Sequence, residues 1–268
     1  MAHQARKRFG QHFLVDGHII QSIIALIRPD FEDQVIEIGP GLGAMTLPLL
    51  GELRQMDVVE IDRDLVKFWE SKNFPNLKIH QADALSFNFQ DWCSLAKNKL
   101  HDSSTGRVKI IGNLPYNISS PLLFHLMSAI EYVDEQVFML QKEVVERIVA
   151  QPGDSEYSRL SVMLQTRYHV SLCFDVPPNS FSPPPRVDSA MVSMYPKEQL
   201  EISKKVWESL EKVVAQAFSQ RRKVLANNLA PYRDILQLDA HVLRLRAQDI
   251  PIQDYLDWAT RLANASAE

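Results

Sequence analysis

Between Ile19 and Met194, short β-branched and apolar runs alternate with stretches of helical hydrophobic spacing. This alternation constrains the fold most. Strands separated by helices pair in parallel in one sheet, and the helices cover its faces. The runs predict strands at 34–39, 56–62, 77–81, 108–112, 136–140, 170–176 and 190–195. The spacing between them predicts helices at 18–28, 42–53, 63–73, 119–131, 142–150 and 156–167. Residues 177–188 carry no helical pattern, so the strands on either side read as an antiparallel pair at the sheet edge. The polar stretch 98–107 reads as a surface loop. The expected fold is α/β, a doubly wound and mostly parallel seven-stranded sheet.

After Pro196 the pattern changes. Val206, Leu210, Val213, Val214, Ala217 and Phe218 recur at helical spacing, as do Ile252, Leu256, Ala259 and Leu262, and no clear strand follows. The expected division is a body at 1–195 and a small all-helical domain at 196–268. With 46% hydrophobic and 23% charged residues among 268, the composition excludes collagen-like and disordered classes. Cys93 and Cys173 form no CxxC and have no metal-ligand spacing, so neither a disulfide framework nor a metal site is expected. No apolar run approaches the ~18 residues of a membrane span. The basic start, MAHQARKRFGQHFL, leads into no apolar core of a signal peptide. The expectation is a cytoplasmic monomer with no membrane association.

The net charge of −4 argues mildly against a nucleic-acid partner, but the average hides an asymmetry. Residues 1–14 carry Arg6, Lys7 and Arg8 and no acid, and residues 204–233 carry seven Lys or Arg against Glu208 and Glu211. A polyanion responds to such local patches, which otherwise serve as solvated helix faces. Arg221, Arg222 and Lys223 are the densest cluster. Read as helical neighbours ~100° apart, they cannot all face one way.

Val35-Ile36-Glu37-Ile38-Gly39-Pro40-Gly41-Leu42-Gly43 runs from a strand through a glycine turn into a helix. Glycines there let the backbone approach a ligand closely, or simply make a tight turn. The next strand carries Glu60, 21 positions after Gly39, where a carboxylate accepts from a ribose diol. The spacing is GxGxG, whereas dinucleotide sites use GxGxxG. Glu37 before the loop would repel a pyrophosphate and favour a cationic ligand. Together these favour S-adenosyl-L-methionine, with its amino group and sulfonium, over NAD. Asp83 follows the third strand and either accepts from the adenine amine or caps a helix.

The fourth strand ends in Gly112-Asn113-Leu114-Pro115-Tyr116-Asn117. This polar-apolar-Pro-aromatic element resembles that of N-methyltransferases acting on bases. Adenine N6 is a poor nucleophile because its lone pair is delocalised into the ring. The Asn113 side-chain oxygen and the Leu114 carbonyl would accept from its N–H groups and aim the lone pair. Pro115 would fix the turn, and Tyr116 would offer a stacking face. An Asn-Pro turn with a packed Tyr is the plainer alternative.

Taken with Arg6–Leu14, the EIGPGLG loop, Val59-Glu60-Ile61-Asp62, GNLPYNIS, MLQKEVVERIVA, FSPPPRVDS at 181–189 and AFSQRRK at 217–223, the chain resembles the ribosomal RNA adenine dimethylase family along nearly its whole length. The resemblance is closest to members that dimethylate two adjacent adenosines near the 3′ end of 16S rRNA. It implies a class I methyltransferase fold, S-adenosyl-L-methionine, and action during late small-subunit assembly. It implies cofactor contacts at His12, Leu14, Gly39, Glu60, Asp83 and Asn113, to which the glycine reading adds Gly41. It places His12 where the family usually has Asn. Phe181 would sandwich the base with Tyr116, or else pack in the core. Pro183, Pro184 and Pro185 would stiffen that loop. Arg6, Lys7, Arg8, Arg221, Arg222 and Lys223 would engage RNA, and Lys142 and Arg147 face RNA or solvent.

Two rivals share this fold: the large-subunit rRNA adenine methyltransferases that confer antibiotic resistance, and non-catalytic nucleic-acid-binding factors. The triple proline and the FSQRRK segment favour the small-subunit activity. The intact set of Glu60, Asp83 and Asn113 favours catalysis.

Overall fold

The computed structural model describes residues 12–101, 103, 105–198 and 202–265. They form two compact units, Met1–Val145 with Ser171–Pro196, and Glu146–Val170 with Lys197–Glu268.

The strands, in chain order, are β1 (Phe13–Leu14), β2 (Gln34–Ile38), β3 (Met56–Glu60), β4 (Leu77–Gln81), β5 (Val108–Asn113), β6 (Glu135–Gln141), β7 (Tyr168–Val176), β8 (Phe181–Ser182) and β9 (Ser189–Pro196). Seven of them make one sheet in the order β4-β3-β2-β5-β6-β9-β7. β4, β3, β2, β5 and β6 are parallel, and β9 lies antiparallel to β6, with Gln141 opposite Ser189. The last two strands are neighbours, but β9 lies inside β7 and pairs with β6 as well. The order reverses between β2 and β5, and the crevice beyond the strand ends at such a switch point is where open α/β sheets bind ligands.

Burial explains the order. The middle strands β2, β5 and β6 are buried almost throughout, as parallel strands covered on both faces must be. Ile23, Ile27, Leu49, Met56 and Val58 are each no more than 2% exposed in one cluster, and each contributes about 1.5–3 kcal/mol by leaving water. The helices α1 (Gly17–Ile27), α2 (Thr46–Leu50), α3 (Arg63–Lys72), α4 (Phe89–Lys99) and α5 (Ser119–Leu126) belong to this unit. Asp16 caps α1 by accepting from the amides of His18 and Ile19, and Asp62 caps α3 by accepting from Asp64. α2 is shorter than its hydrophobic pattern suggests, because residues 41–45 are taken up by the glycine turn. α4 occupies a stretch with no predicted helix. Asn88 caps it by accepting from the Asp91 amide, and Phe89, Cys93 and Ala96 form its buried stripe. It runs into the predicted loop 98–107.

At the N-terminal ends of the strands lies a buried ionic network. Lys109 of β5 places Nζ 2.7 Å from Asp33 Oδ2 and 3.9 Å from Glu135 Oε2. The same ammonium donates to the carbonyls of Ile27 and Arg28, each at 2.9 Å, closing the end of α1. Tyr195 donates to Glu135 at 2.5 Å.

α6 (Lys142–Val149) leads into the second unit, which holds α7 (Arg159–Arg167), α8 (Lys204–Ala217), α9 (Leu225–Asn228), α10 (Arg233–Leu236), α11 (Ala240–Arg244) and α12 (Ile252–Ala265). Its described residues contain no strand besides the start of β7, only one bridge between Val224 and Arg246. α8 packs on α12, and α7 packs on both. The Arg167 guanidinium lies 4.7 Å from the Trp207 ring centre. Phe218 stacks on Tyr255 at 6.0 Å, and Tyr255 meets Trp258 edge-on at 5.2 Å. Residues 146–170, which the sequence reading assigns to the body, are thus part of the helical unit. Pairing of α7 with helices far along the chain draws them there, and no local pattern records that pairing.

Candidate active site

The first unit holds a cavity of about 250 Å³ at the C-terminal ends of β2, β3 and β5. Gly39 and Gly41 line it, with φ of 70° and 53°, a left-handed backbone that side chains disfavour. A Cβ on Gly39 would meet nothing within 4 Å, so the cradle is open there. Gly43 serves packing instead. It is not among the lining residues, and a Cβ there would lie 2.6 Å from the Trp69 ring. The Trp69 Nε1–H also donates to the Gly41 carbonyl at 3.0 Å, tying the loop to α3.

Three carboxylates line the same cavity, and no Lys or Arg lines it among the described residues. Glu37 is buried at the end of β2, where the Thr46 hydroxyl donates to its Oε2 at 2.6 Å. Burial pushes its carboxyl up to about 7, against the effect of Thr46, and repulsion from Glu60 adds to the rise. Glu60 is also raised by burial, partly offset by the Asp62 amide, which donates to Oε1 at 2.8 Å. Asp83 is exposed. Its Oδ1 accepts from the Leu85 amide at 2.9 Å, so the local capping role and a place on the cavity wall coexist. Buried carboxylates without a cationic side chain are costly, and a cationic ligand would offset that cost. The exposed side chains of Leu42 and Ile61 give the cavity an apolar rim.

Asn113, Leu114, Pro115 and Tyr116 line the cavity as well. The Asn113 Nδ2 donates to the His12 carbonyl at 3.3 Å. This orients the amide and leaves its oxygen as the accepting end. The Leu114 amide is held by the Met139 carbonyl at 3.1 Å, and the Pro115 carbonyl accepts from Ile118 at 3.1 Å. The Tyr116 hydroxyl lies 2.7 Å from Ser189 Oγ, and burial raises its pKa.

His12 and Leu14 reach the cavity through β1, which pairs with β8: Phe13 faces Ser182, and Leu14 faces Phe181. His12 Nδ1 is 2.8 Å from the Pro183 carbonyl, and its ring stacks on Tyr116 with centroids 5.9 Å apart and planes at 22°. Phe181 takes the second of its two expected places, the core, and not the cavity wall beside Tyr116. It is 3% exposed, packs in the core with Leu14, and is not among the lining residues. The ring that lies beside Tyr116 is the imidazole of His12.

Arg6, Lys7 and Arg8 lie outside the described residues. Arg221, Arg222 and Lys223 are exposed in a turn after α8, not on a helix, because α8 ends at Ala217. Asn228 holds that end by donating to the carbonyls of Ala217 and Gln220. Arg221 donates to the Ser155 carbonyl. Lys142 pairs with Asp175 at 2.6 Å, and Arg147 Nε is 3.9 Å from Glu156. No group of three or more His, Cys, Asp or Glu among the described residues could hold a metal ion.

A mostly parallel sheet of this order, with a cavity at its switch point, is a class I methyltransferase fold. The dimethyladenosine transferase of Plasmodium falciparum superposes with a TM-score of 0.73 at 25% identity, covering 92% of this chain and 96% of that one. The 23S rRNA methyltransferase ErmE superposes at 0.63 with 23% identity, covering 93% and 99%, a likeness of fold alone. Residues 2–264 match the ribosomal RNA adenine dimethylase family. Proteins named ribosomal RNA small subunit methyltransferase A are 48% identical in Ralstonia nicotianae and 50% identical in Burkholderia mallei. These matches cover 97% and 99% of this chain and 91% and 96% of the relatives. The chain belongs to the ribosomal RNA adenine dimethylase family.

Proposed function

We propose that this chain transfers methyl groups from S-adenosyl-L-methionine to N6 of two adjacent adenosines near the 3′ end of 16S rRNA. The products are N6,N6-dimethyladenosines formed during small-subunit biogenesis. The observation that carries the reading is the oriented Asn113 amide, its oxygen left to accept, in a cavity lined by Glu37, Glu60 and Asp83 and by no Lys or Arg among the described residues. The names of the relatives support the substrate. No helix among the described residues is long and apolar enough to cross a membrane. The protein is read as a cytoplasmic monomer acting on ribosomal particles.

The residues suit the cofactor. Glu60 would hold the ribose hydroxyls, Asp83 the adenine amine, and Gly39 and Gly41 would let the chain close on the ligand. The ionised walls would favour a sulfonium, which supplies an electrophilic methyl group when bound. Asn113 and the Leu114 carbonyl would accept the N–H hydrogens of an adenine taken out of its stack, and Tyr116 would cover its face. These groups act by orientation and preorganised charge. No strong base is needed, because the methylated amine is acidic and loses its proton to water. The second unit would hold rRNA through Arg221, Arg222 and Lys223, together with Arg6, Lys7 and Arg8, by phosphate contacts that position without reading sequence.

The test is labelled methyl transfer to unmethylated small subunits, large subunits and free rRNA, followed by nucleoside analysis. Dimethyladenosine in the small subunit alone is the expected result. Label in the large subunit would overturn the assignment.

A further inference from the structure

We propose that Ser189 is a positioning residue for methyl transfer, acting through the hydroxyl of Tyr116. The inference rests on the reading of Tyr116 as the stacking face for the base.

Ser189 is 0% exposed and does not line the cavity, so it touches neither cofactor nor base. Its Oγ is 2.7 Å from the Tyr116 hydroxyl, across 73 positions of sequence. The serine itself is firmly placed. It begins β9 opposite Gln141, and the carbonyl of the preceding Asp188 accepts from the Lys142 amide at 3.0 Å. Tyr116, by contrast, follows β5 in a turn, where no strand pairing fixes its ring. A phenol hydroxyl out of water needs a partner, and a single well-placed one selects the ring's direction. Ser189 provides it at the buried edge, leaving a face of the ring turned to the His12 imidazole. The same segment holds the other ring, since the Pro183 carbonyl accepts from His12 Nδ1 at 2.8 Å. Residues 181–189 therefore brace both aromatic rings from outside the cavity.

The test is single-turnover methylation of saturated enzyme–subunit complexes by the full chain, with cofactor affinity measured alongside. Ser189→Ala and Tyr116→Phe should each lower the rate about 10-fold, with cofactor affinity unchanged. The double variant should be no slower than either single one, because both remove one and the same bond. In a Tyr116→Ala background, Ser189→Ala should have no further effect. A purely structural serine would lower the melting temperature without this coupling. Losses that multiply, or a Ser189→Ala rate equal to wild type, would overturn the inference. If Ser189→Ala fails to fold, Tyr116→Phe reads the same bond, and a wild-type rate there is equally decisive. A wild-type rate in Tyr116→Ala would instead remove the stacking reading, and this inference with it.

Discussion

Lys109 near the start of β5 and Asn113 at its end stand in opposite electrostatic surroundings. Around Lys109 the buried charges of both signs meet: one ammonium serves Asp33 and Glu135, and two carbonyls take its remaining hydrogens. Around Asn113 the carboxylates of Glu37, Glu60 and Asp83 share a cavity with no Lys or Arg among the described residues. The first arrangement is self-sufficient and holds α1 to the sheet. The second has no Lys or Arg to match it, and on the proposed reading a cationic cofactor would offset its charge. One sheet thus keeps structural charge and functional charge at opposite ends of the same strands.

The largest expected effect tests the matched end. Lys109→Met leaves Asp33 and Glu135 buried without a cation, which should cost about 3–5 kcal/mol of stability. Denaturant titration measures it, and cofactor affinity of the folded fraction should stay at the wild-type value. A small loss would mean that this end, too, tolerates unmatched charge. Next, Asn113→Ala should slow single-turnover methyl transfer by about 10²–10³, the scale of losing one preorganised polar group. RNA affinity should survive, because phosphate contacts dominate it. A near-normal rate would make the Asn-Leu-Pro-Tyr turn a structural element only.

Glu37 sharpens the comparison through pH. Its ordinary value is 4.5, and burial in the fold raises it to about 7, so the folded state keeps a proton that the unfolded chain releases. The stabilisation is full below the unfolded value and is lost as pH rises through the folded one, a span of roughly 3 kcal/mol. Melting curves without cofactor should show stability falling from about pH 5 to about pH 8. Glu37→Gln should flatten that fall. An unchanged slope would remove Glu37 as its source. Glu60→Gln follows in size. It should weaken cofactor binding about 10- to 100-fold, as loss of a charge-assisted hydrogen bond does. Its melting temperature should hold or rise, because a desolvated charge is gone while an acceptor for the Asp62 amide remains. A marked drop in stability would place Glu60 with the structural charges.

Much of this was readable from local pattern. The strands of the parallel sheet stand out as short apolar runs between helical patterns, and the glycine turn, Glu60, Asp83 and Asn113 sit at or just beyond their ends. What was not readable depends on partners distant in sequence. Asp33 and Glu135 reach Lys109 from both sides along the chain, Ser189 reaches Tyr116 across 73 positions, and Phe181 is drawn into the core by pairing beside Leu14. α4 had a legible signal, an Asn88 cap and a stripe at Phe89, Cys93 and Ala96, but its polar remainder reads as loop. Glu37 is legible as an acid just before the glycine turn. Its burial beside Thr46 needed the helix after the turn.

The smallest effect lies at the exposed cations of the helical unit. Arg221 and Arg222 carry charge in solvent, where salt screens it, unlike either set of buried charges. Their stability contribution should therefore be slight. Arg221 donates to the Ser155 carbonyl, a contact that leaves its positive charge unneutralised. If the pair neutralises phosphates, replacing both by Ala should weaken subunit binding and flatten its log–log salt dependence by about 1–2 units. Cofactor affinity should not move, because the lining residues of the cavity all belong to the other unit. The measurement is subunit affinity across a salt series for wild type and the double variant. Identical slopes would assign these arginines to the protein's own packing, and RNA contact would then have to come from other cations.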